Sequence, residues 1–247
     1  MNTLVFLHGV GGGHGAWDRQ VAHFEARGYR CIAWDQPGYG DAPIVDPYDL
    51  ANVAGALEAL IDKAGGGPVV LVGHSMGGFI AQEAWARFPQ KSRALALCFT
   101  SASFGGGSGD FAKQFIAQRI LPLDQGRTMG EIAKALMPMM AGKKSDPSGL
   151  ALAQRTMSAI PPDTYRKAVA LLTTFDQRSR LPGITVPTLL VAGSDDKTAP
   201  ASTMERMAQK IPGAEFVVLD GCGHLGPMDQ PDAFNATLLS FLERIAL

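Results

Sequence analysis

Several things are scarce in this 247-residue chain, and each scarcity removes a class of protein. There are three cysteines, Cys31, Cys98 and Cys222, an odd number with no CxxC spacing, which is not a disulfide framework. Cys31 and Cys98 sit in apolar strand-like runs, so they read as buried free thiols in a reducing compartment, and a cytoplasmic location is expected. No apolar run reaches the roughly 18 residues of a membrane span. Met1 runs straight into a short strand-like run and a loop, so no signal peptide is expected. Charge of either sign is in no excess: the net value is −1, which gives no electrostatic reason to expect nucleic acid or an anionic membrane as a partner. No internal repeat or low-complexity tract interrupts the chain. What remains is an ordinary globular composition, 46% hydrophobic, long enough for one large α/β domain or two small ones. A chain of this size buries roughly 70–75% of its unfolded surface and needs no covalent staples.

Strand-like and helix-like stretches alternate. Residues 4–7, 31–34, 69–72, 94–99, 188–192 and 215–219 are short apolar runs, as strands buried on both faces would be. Between them lie amphipathic stretches at 16–27, 47–64, 76–88, 201–211 and 231–245. This order predicts a doubly wound, mostly parallel sheet flanked by helices. Residues 104–180 break the alternation with four helical stretches, at 110–121, 128–141, 147–160 and 163–175. Gly105, Gly106, Gly107 and Gly109 mark the entry to this segment, and Pro182 and Pro187 mark its exit. Because the sheet pattern resumes afterwards, residues 104–180 are expected to be a helical lid over the carboxyl ends of the strands, with 1–103 and 181–247 forming the core.

The stretch "VVLVGHSMGGFIAQ" carries the chemistry. A buried strand ends at Gly73 and a helix starts just after Ser75, so Gly73-His74-Ser75-Met76-Gly77 is G-x-S-x-G in a strand–turn–helix context. Such a turn strains the serine backbone, lifts the hydroxyl into the open and leaves no room for side chains two residues to either side. It also aims the helix N-terminus at a reacting carbonyl, so the Met76 amide can donate to an oxyanion. A serine hydroxyl needs a base. The order expected for this elbow is serine, then acid, then histidine. "PTLLVAGSDDKTAP" supplies Asp195 and Asp196 after one strand, and "FVVLDGCGHLGPMDQP" supplies His224 after the next. A competing reading lies at the start of the chain, where Gly11, Gly13 and Ala16 of "LHGVGGGHGAW" satisfy a dinucleotide fingerprint and Asp35 follows about where a ribose-binding acid would stand. Its register is unfavourable, because His8, Gly9 and Val10 separate the strand from the first fingerprint glycine. Asp35 then reads as a structural strand-end acid.

Five segments, "LHGVGG", "WDQPGYGDA", "GHSMGG", "AGSDDKTAP" and "GCGHLGPMDQP", together resemble the α/β-hydrolase fold family over nearly the whole chain. The resemblance implies the α/β-hydrolase fold, with a helical lid inserted before the acid-bearing strand. It implies Asp196 as the acid, because Gly193 and Pro200 frame the family's G-x-x-D-x-x-x-P turn. It implies a catalytic set of Ser75, Asp196 and His224, an oxyanion hole from the backbone amides of Val10 and Met76, and no metal or organic cofactor. Members usually carry a two-strand hairpin before the His-Gly strand, and this chain starts directly with that strand, so a sheet of about six strands is expected.

Among serine members, the stretch around 158–193 is similar to 3-oxoadipate enol-lactonases and related small-ester hydrolases. The function implied is hydrolysis of a small-molecule carboxylic ester or lactone through an acyl-serine. One alternative is a carbon–carbon bond hydrolase of the meta-cleavage type on the same three residues, although those enzymes often carry asparagine and tryptophan where His74 and Leu225 stand. A second alternative is a ligand-sensing binding protein on this fold. Pocket candidates are His74, Phe104, Met137, Met140 and Leu225. Arg119, Arg127, Arg155 and Arg166 are candidates to pair with a substrate carboxylate, or else are solvated helix charges. His8 reads as structural, and Cys222 as a packed neutral thiol.

Overall fold

The computed structural model describes residues 2–105 and 109–246. Gly106 and Gly107, two of the glycines marking the entry to the insertion, lie outside the described residues. Six strands form one sheet: β1 Thr3–Leu7, β2 Arg30–Trp34, β3 Val69–His74, β4 Ser92–Cys98, β5 Thr188–Gly193 and β6 Glu215–Leu219. Their order is β2-β1-β3-β4-β5-β6, and every pairing is parallel. The first strand therefore lies between β2 and β3. Parallel strands need crossover helices on both faces, so the inner strands are apolar along their middles. All six residues of β3 and all six of β5 are buried, whereas the edge strands β2 and β6 are only partly covered. Each fully buried Val, Leu or Ile contributes about 1.5–3 kcal/mol, so these four-to-six-residue runs suffice to fix the register.

The crossovers are α1 Asp18–Glu25, α2 Leu50–Lys63, α3 Met76–Arg87 and α8 Ala201–Ala208, with the insertion helices α4 Gly109–Asp124, α5 Met129–Met140, α6 Pro147–Ser158 and α7 Pro162–Leu172 between β4 and β5, and α10 Pro231–Arg244 follows the last strand. Several boundaries differ from the sequence reading for local reasons. Residues His14–Trp17 make a 3₁₀ turn, so α1 starts at Asp18 rather than at position 16. Asp49, not residue 47, caps α2, its carboxylate accepting from the Asn52 amide at 2.8 Å. β4 ends at Cys98 because Phe99 takes a φ of 49°. A short helix, α9 Gly226–Asp229, follows the His224 loop and is not visible in the sequence pattern.

The two ends of the insertion meet. Phe104 donates its amide to Phe175 and Gln177 to Ala102, at 3.0 and 2.8 Å, and Ser103 and Asp176 form an antiparallel bridge. The ring of Phe175 stacks on Phe79 of α3 at 3.9 Å. Glu83, buried on α3, accepts from Arg87 at 2.6 Å and from Gln177. Farther along, the link between α5 and α6 runs against the loop that follows β6. There His224 donates its amide to Met140 at 2.8 Å, Lys144 to Gly221 at 2.9 Å and Asp146 to Asp229 at 2.8 Å. Among the described residues no helix is long and apolar enough to cross a membrane.

Candidate active site

Ser75 occupies the single residue between β3 and α3, with φ 53° and ψ −116°. A non-glycine residue there costs of the order of 1–3 kcal/mol and persists only when the surroundings over-determine it. They do. The Ser75 amide donates to Cys98 at 2.9 Å, and its carbonyl accepts from the Gly78 amide at 2.9 Å and the Thr100 hydroxyl at 2.8 Å. The flanking glycines are there for space: a Cβ on Gly73 would stand 2.4 Å from the Gly77 carbonyl oxygen, and one on Gly77 would stand 2.0 Å from that of Leu7. β1, the elbow and the start of α3 are thereby pressed into one another.

His224 lies beyond β6, and Asp196 lies beyond β5. The His224 Nε2 is 3.0 Å from the Ser75 Oγ, and its Nδ1 is 2.8 Å from the Asp196 Oδ2. A carboxylate accepts only, so Nδ1 carries the proton and Nε2 presents its lone pair to the serine hydroxyl. The other Asp196 oxygen accepts from the Thr198 and Ala199 amides at 2.7 and 3.0 Å. Burial pushes this carboxyl up, but His224 and the two amides outweigh burial and hold it below its ordinary value, so it stays ionised. Asp195 points elsewhere, accepting from the Lys143 amide at 2.9 Å.

The glycine loop after β1 lies against the elbow: a Cβ on Gly9 would come 3.1 Å from that of Ser75. Its shape is fixed from below. His8 donates through Nδ1 to the Gly9 carbonyl at 2.8 Å and accepts through Nε2 from the Gln36 amide at 3.2 Å. Burial pushes its pKa down to about 4, so the ring is neutral, as this bonding requires. The Tyr39 hydroxyl donates to the Val10 carbonyl at 3.0 Å, which sets the peptide plane beyond it. Asp35 accepts from both the amide and the Nδ1 of His14, at 2.7 and 2.6 Å, so both its oxygens are engaged inside the loop. Gly12 closes a turn onto the Gly9 carbonyl at 2.9 Å, and a Cβ there would stand 2.8 Å from that of His8. Gly11 leaves room for Met157, whose sulfur would be 3.3 Å from a Cβ at that position. These contacts account for Gly9, Gly11 and Gly12 without a phosphate. Gln36 and Tyr39 come from "WDQPGYGDA", but nothing in the sequence pattern ties them to the loop.

Two cavities open on Ser75 and His224. One, about 40 Å³, is closed by Trp17, Met137, Ala153, Met157, Leu225 and Met228. The other, about 560 Å³, is walled by Phe79, Phe99, Phe104, Phe115, Met139 and Leu172. Val10, Arg119, Met140 and Tyr165 border both. Of the five pocket candidates, Met137, Leu225 and His74 thus border the smaller cavity, Phe104 the larger and Met140 both. His74 is committed elsewhere by its polar edge: Nε2 donates to the His224 carbonyl at 2.7 Å, and burial pushes its pKa down to about 3. It holds the histidine loop in place and offers a cavity only its ring. Among the four candidate arginines, Arg166 pairs with Asp124 at 2.6 Å, Arg127 and Arg155 are exposed, and Arg119 faces the cavities. Burial and the neighbouring Asp229 push the Cys222 thiol up, so it is neutral. Trp17 and Tyr165, both buried cavity walls, carry no sequence signal that would have singled them out.

Residues 4–237 match the model of the alpha/beta hydrolase family. The chain is 31% identical over 258 residues to a 2-hydroxy-6-oxononadienedioate/2-hydroxy-6-oxononatrienedioate hydrolase of Dechloromonas aromatica, covering 98% of this chain and 87% of the relative. It is 26% identical over 248 residues to a 3-oxoadipate enol-lactonase of Acinetobacter baylyi, covering 98% and 89%. Among solved structures, a thermophilic esterase from Thermogutta terrifontis superposes with a TM-score of 0.90 at 25% identity, covering 99% of this chain and 90% of the esterase.

Proposed function

This chain belongs to the alpha/beta hydrolase family, and on that premise we propose that it is a serine hydrolase cleaving a carboxylic ester or lactone, with Ser75 as nucleophile, His224 as base and Asp196 as the residue that orients it. The observation that carries the reading is the unbroken hydrogen-bond chain from the Ser75 Oγ through both nitrogens of His224 to Asp196, at 3.0 and 2.8 Å. Ser75 attacks the carbonyl while Nε2 takes its proton. Asp196 stabilises the imidazolium that results. The backbone amides of Val10 and Met76 receive the oxyanion, each such donor being worth about 2.7–4 kcal/mol. His224 then protonates the leaving group, and water enters by the reverse sequence to free the acyl group as a carboxylic acid. The four insertion helices act as the lid, supplying Arg119, Met137, Met140, Met157 and Tyr165 to the cavities above Ser75. Similarity to an enol-lactonase and an esterase supports this class of substrate.

The 31% identity with the oxononadienedioate hydrolase favours a second reading, cleavage of a carbon–carbon bond in a ring-cleavage dienoate by the same residues. One experiment separates the two. Under the first, the protein hydrolyses p-nitrophenyl acetate, a fluorophosphonate labels Ser75 as located by mass spectrometry, and Ser75→Ala loses both. Rapid turnover of a coloured dienoate with negligible ester cleavage would favour the second. A wild-type protein that binds ligand but gives neither turnover nor adduct would be a binding protein, and the hydrolase reading would fall.

A further inference from the structure

Arg119 projects from α4 into the space above the elbow, where it borders both cavities. It is half-buried. Its guanidinium lies over the ring of Phe115, 5.1 Å from the centroid, and its charge acts on the hydroxyl of the buried Tyr165. A guanidinium has five N–H donors in a planar fork, and a phenol oxygen and a ring face leave most of them unanswered.

Several other arginines meet carboxylates: Arg19 meets Asp146, Arg87 meets Glu83 one turn away on α3, Arg166 meets Asp124 and Arg244 meets Glu215. Among the described residues, no carboxylate pairs with Arg119, and no Asp or Glu borders either cavity. The second cation on the larger cavity, Lys197, adds to the same sign at its rim. A half-buried cation set among aromatic and methionine side chains is less screened by water, and interacts with an incoming charge more strongly than a fully exposed cation would. The fork geometry matches a carboxylate. The apolar walls between Arg119 and Ser75 suit the aliphatic or unsaturated spacer of a bifunctional acid.

We infer that Arg119 binds a negatively charged group of the substrate, so that the ester or lactone cleaved is one bearing a second, free carboxylate. This inference rests on the ester- or lactone-hydrolase reading. It assigns Arg119 to substrate selection, with the chemistry left to Ser75 and His224.

The test compares two methyl esters of equal length, monomethyl adipate and methyl hexanoate, by pH-stat. Wild-type protein is expected to prefer the charged ester in kcat/KM by about tenfold or more, the range of a charge-assisted hydrogen bond. Arg119→Gln should abolish the preference, chiefly through KM for the charged ester, and Arg119→Lys should restore part of it. A second measurement is independent of turnover: calorimetric binding of adipate to Ser75→Ala, against Ser75→Ala combined with Arg119→Gln or Arg119→Lys. Binding weakened about tenfold by the Gln change and partly recovered by Lys is expected. No charge preference in the wild type, a preference unchanged in Arg119→Gln, or adipate binding indifferent to Arg119 would overturn the inference. If wild-type protein cleaves neither ester and takes no fluorophosphonate, the hydrolase reading fails instead, and the adipate titration still decides the role of Arg119.

Discussion

Two adjacent aspartates at the end of β5 show how one residue's address decides its role. Asp196 is buried and faces the histidine ring, while Asp195 is partly exposed and holds the amide of Lys143 in the link between α5 and α6. Replacing Asp196 by Asn puts an amide where a carboxylate must accept the Nδ1 proton, which favours the wrong tautomer and places a donor against a donor. The expected loss in kcat is of the order of 10⁴-fold, by the precedent of such changes in serine hydrolases. Asp195→Asn keeps an acceptor oxygen for Lys143, so its activity should stay within about twofold of wild type, since it alters no buried charge pair. Steady-state kinetics on one ester measures both, and a large loss at Asp195 with none at Asp196 would reverse the assignment. The sequence narrowed the acid to these two. Only the family's turn pattern separated them at that level, and the physical difference between them lies in the direction of two side chains, which spacing cannot encode.

At the scale of elements, the insertion is joined to the core where the histidine loop needs support. The link after α5 shares backbone hydrogen bonds with residues 221–229, and the start of α6 packs on α9 so closely that a Cβ on Gly149 would lie 2.0 Å from the Met228 carbonyl oxygen. Neither partner there is a flexible side-chain tip. Gly149→Ala must therefore push α6 off α9, at a cost of about 1–3 kcal/mol. A lowered Tm with a lowered kcat is expected, because the same link accepts the His224 amide. Gly130→Ala, on α5, is the control: its Cβ would find nothing nearer than the Ser158 hydroxyl at 3.7 Å, so it should leave Tm unchanged or raise it, alanine being the better helix former by about 0.5–1 kcal/mol. Thermal melts of the two variants check the pair. The helices of the insertion were legible from their periodicity. Their docking was not, because it runs through carbonyls and glycines that any sequence pattern treats as punctuation.

The molecule as a whole carries a pH dependence through two histidines beneath the site. His8 and His74 have an ordinary value of 6.5, and burial pushes them down to about 4 and about 3 in the folded protein. Between these values and 6.5 the unfolded chain binds protons that the folded one refuses. Their contribution to stability is therefore full above pH 6.5 and is lost as pH falls toward 4 and then 3. At pH 5 the loss is of the order of 2 kcal/mol for each ring. Urea unfolding at pH 7.5 and pH 5.0 should show a fall of about 4 kcal/mol from the two rings together, and a stability that is flat across this range would contradict the neutral, buried state of both rings.

The sequence by itself determined the strand order along the chain, the elbow serine, the late histidine and the place of the insertion. These are local matters: burial on both faces writes a strand as a short apolar run, and a tight strand–helix turn demands glycines at fixed offsets. The tertiary structure alone decided that β1 lies between β2 and β3, and that His74 braces the His224 carbonyl. It also decided that the glycines after His8 make room for a histidine ring and a methionine, and that one arginine of four faces the cavities. Most of these depend on which atoms meet across distances of tens to hundreds of residues, and such meetings are set by the packing of the whole chain, not by any segment of it.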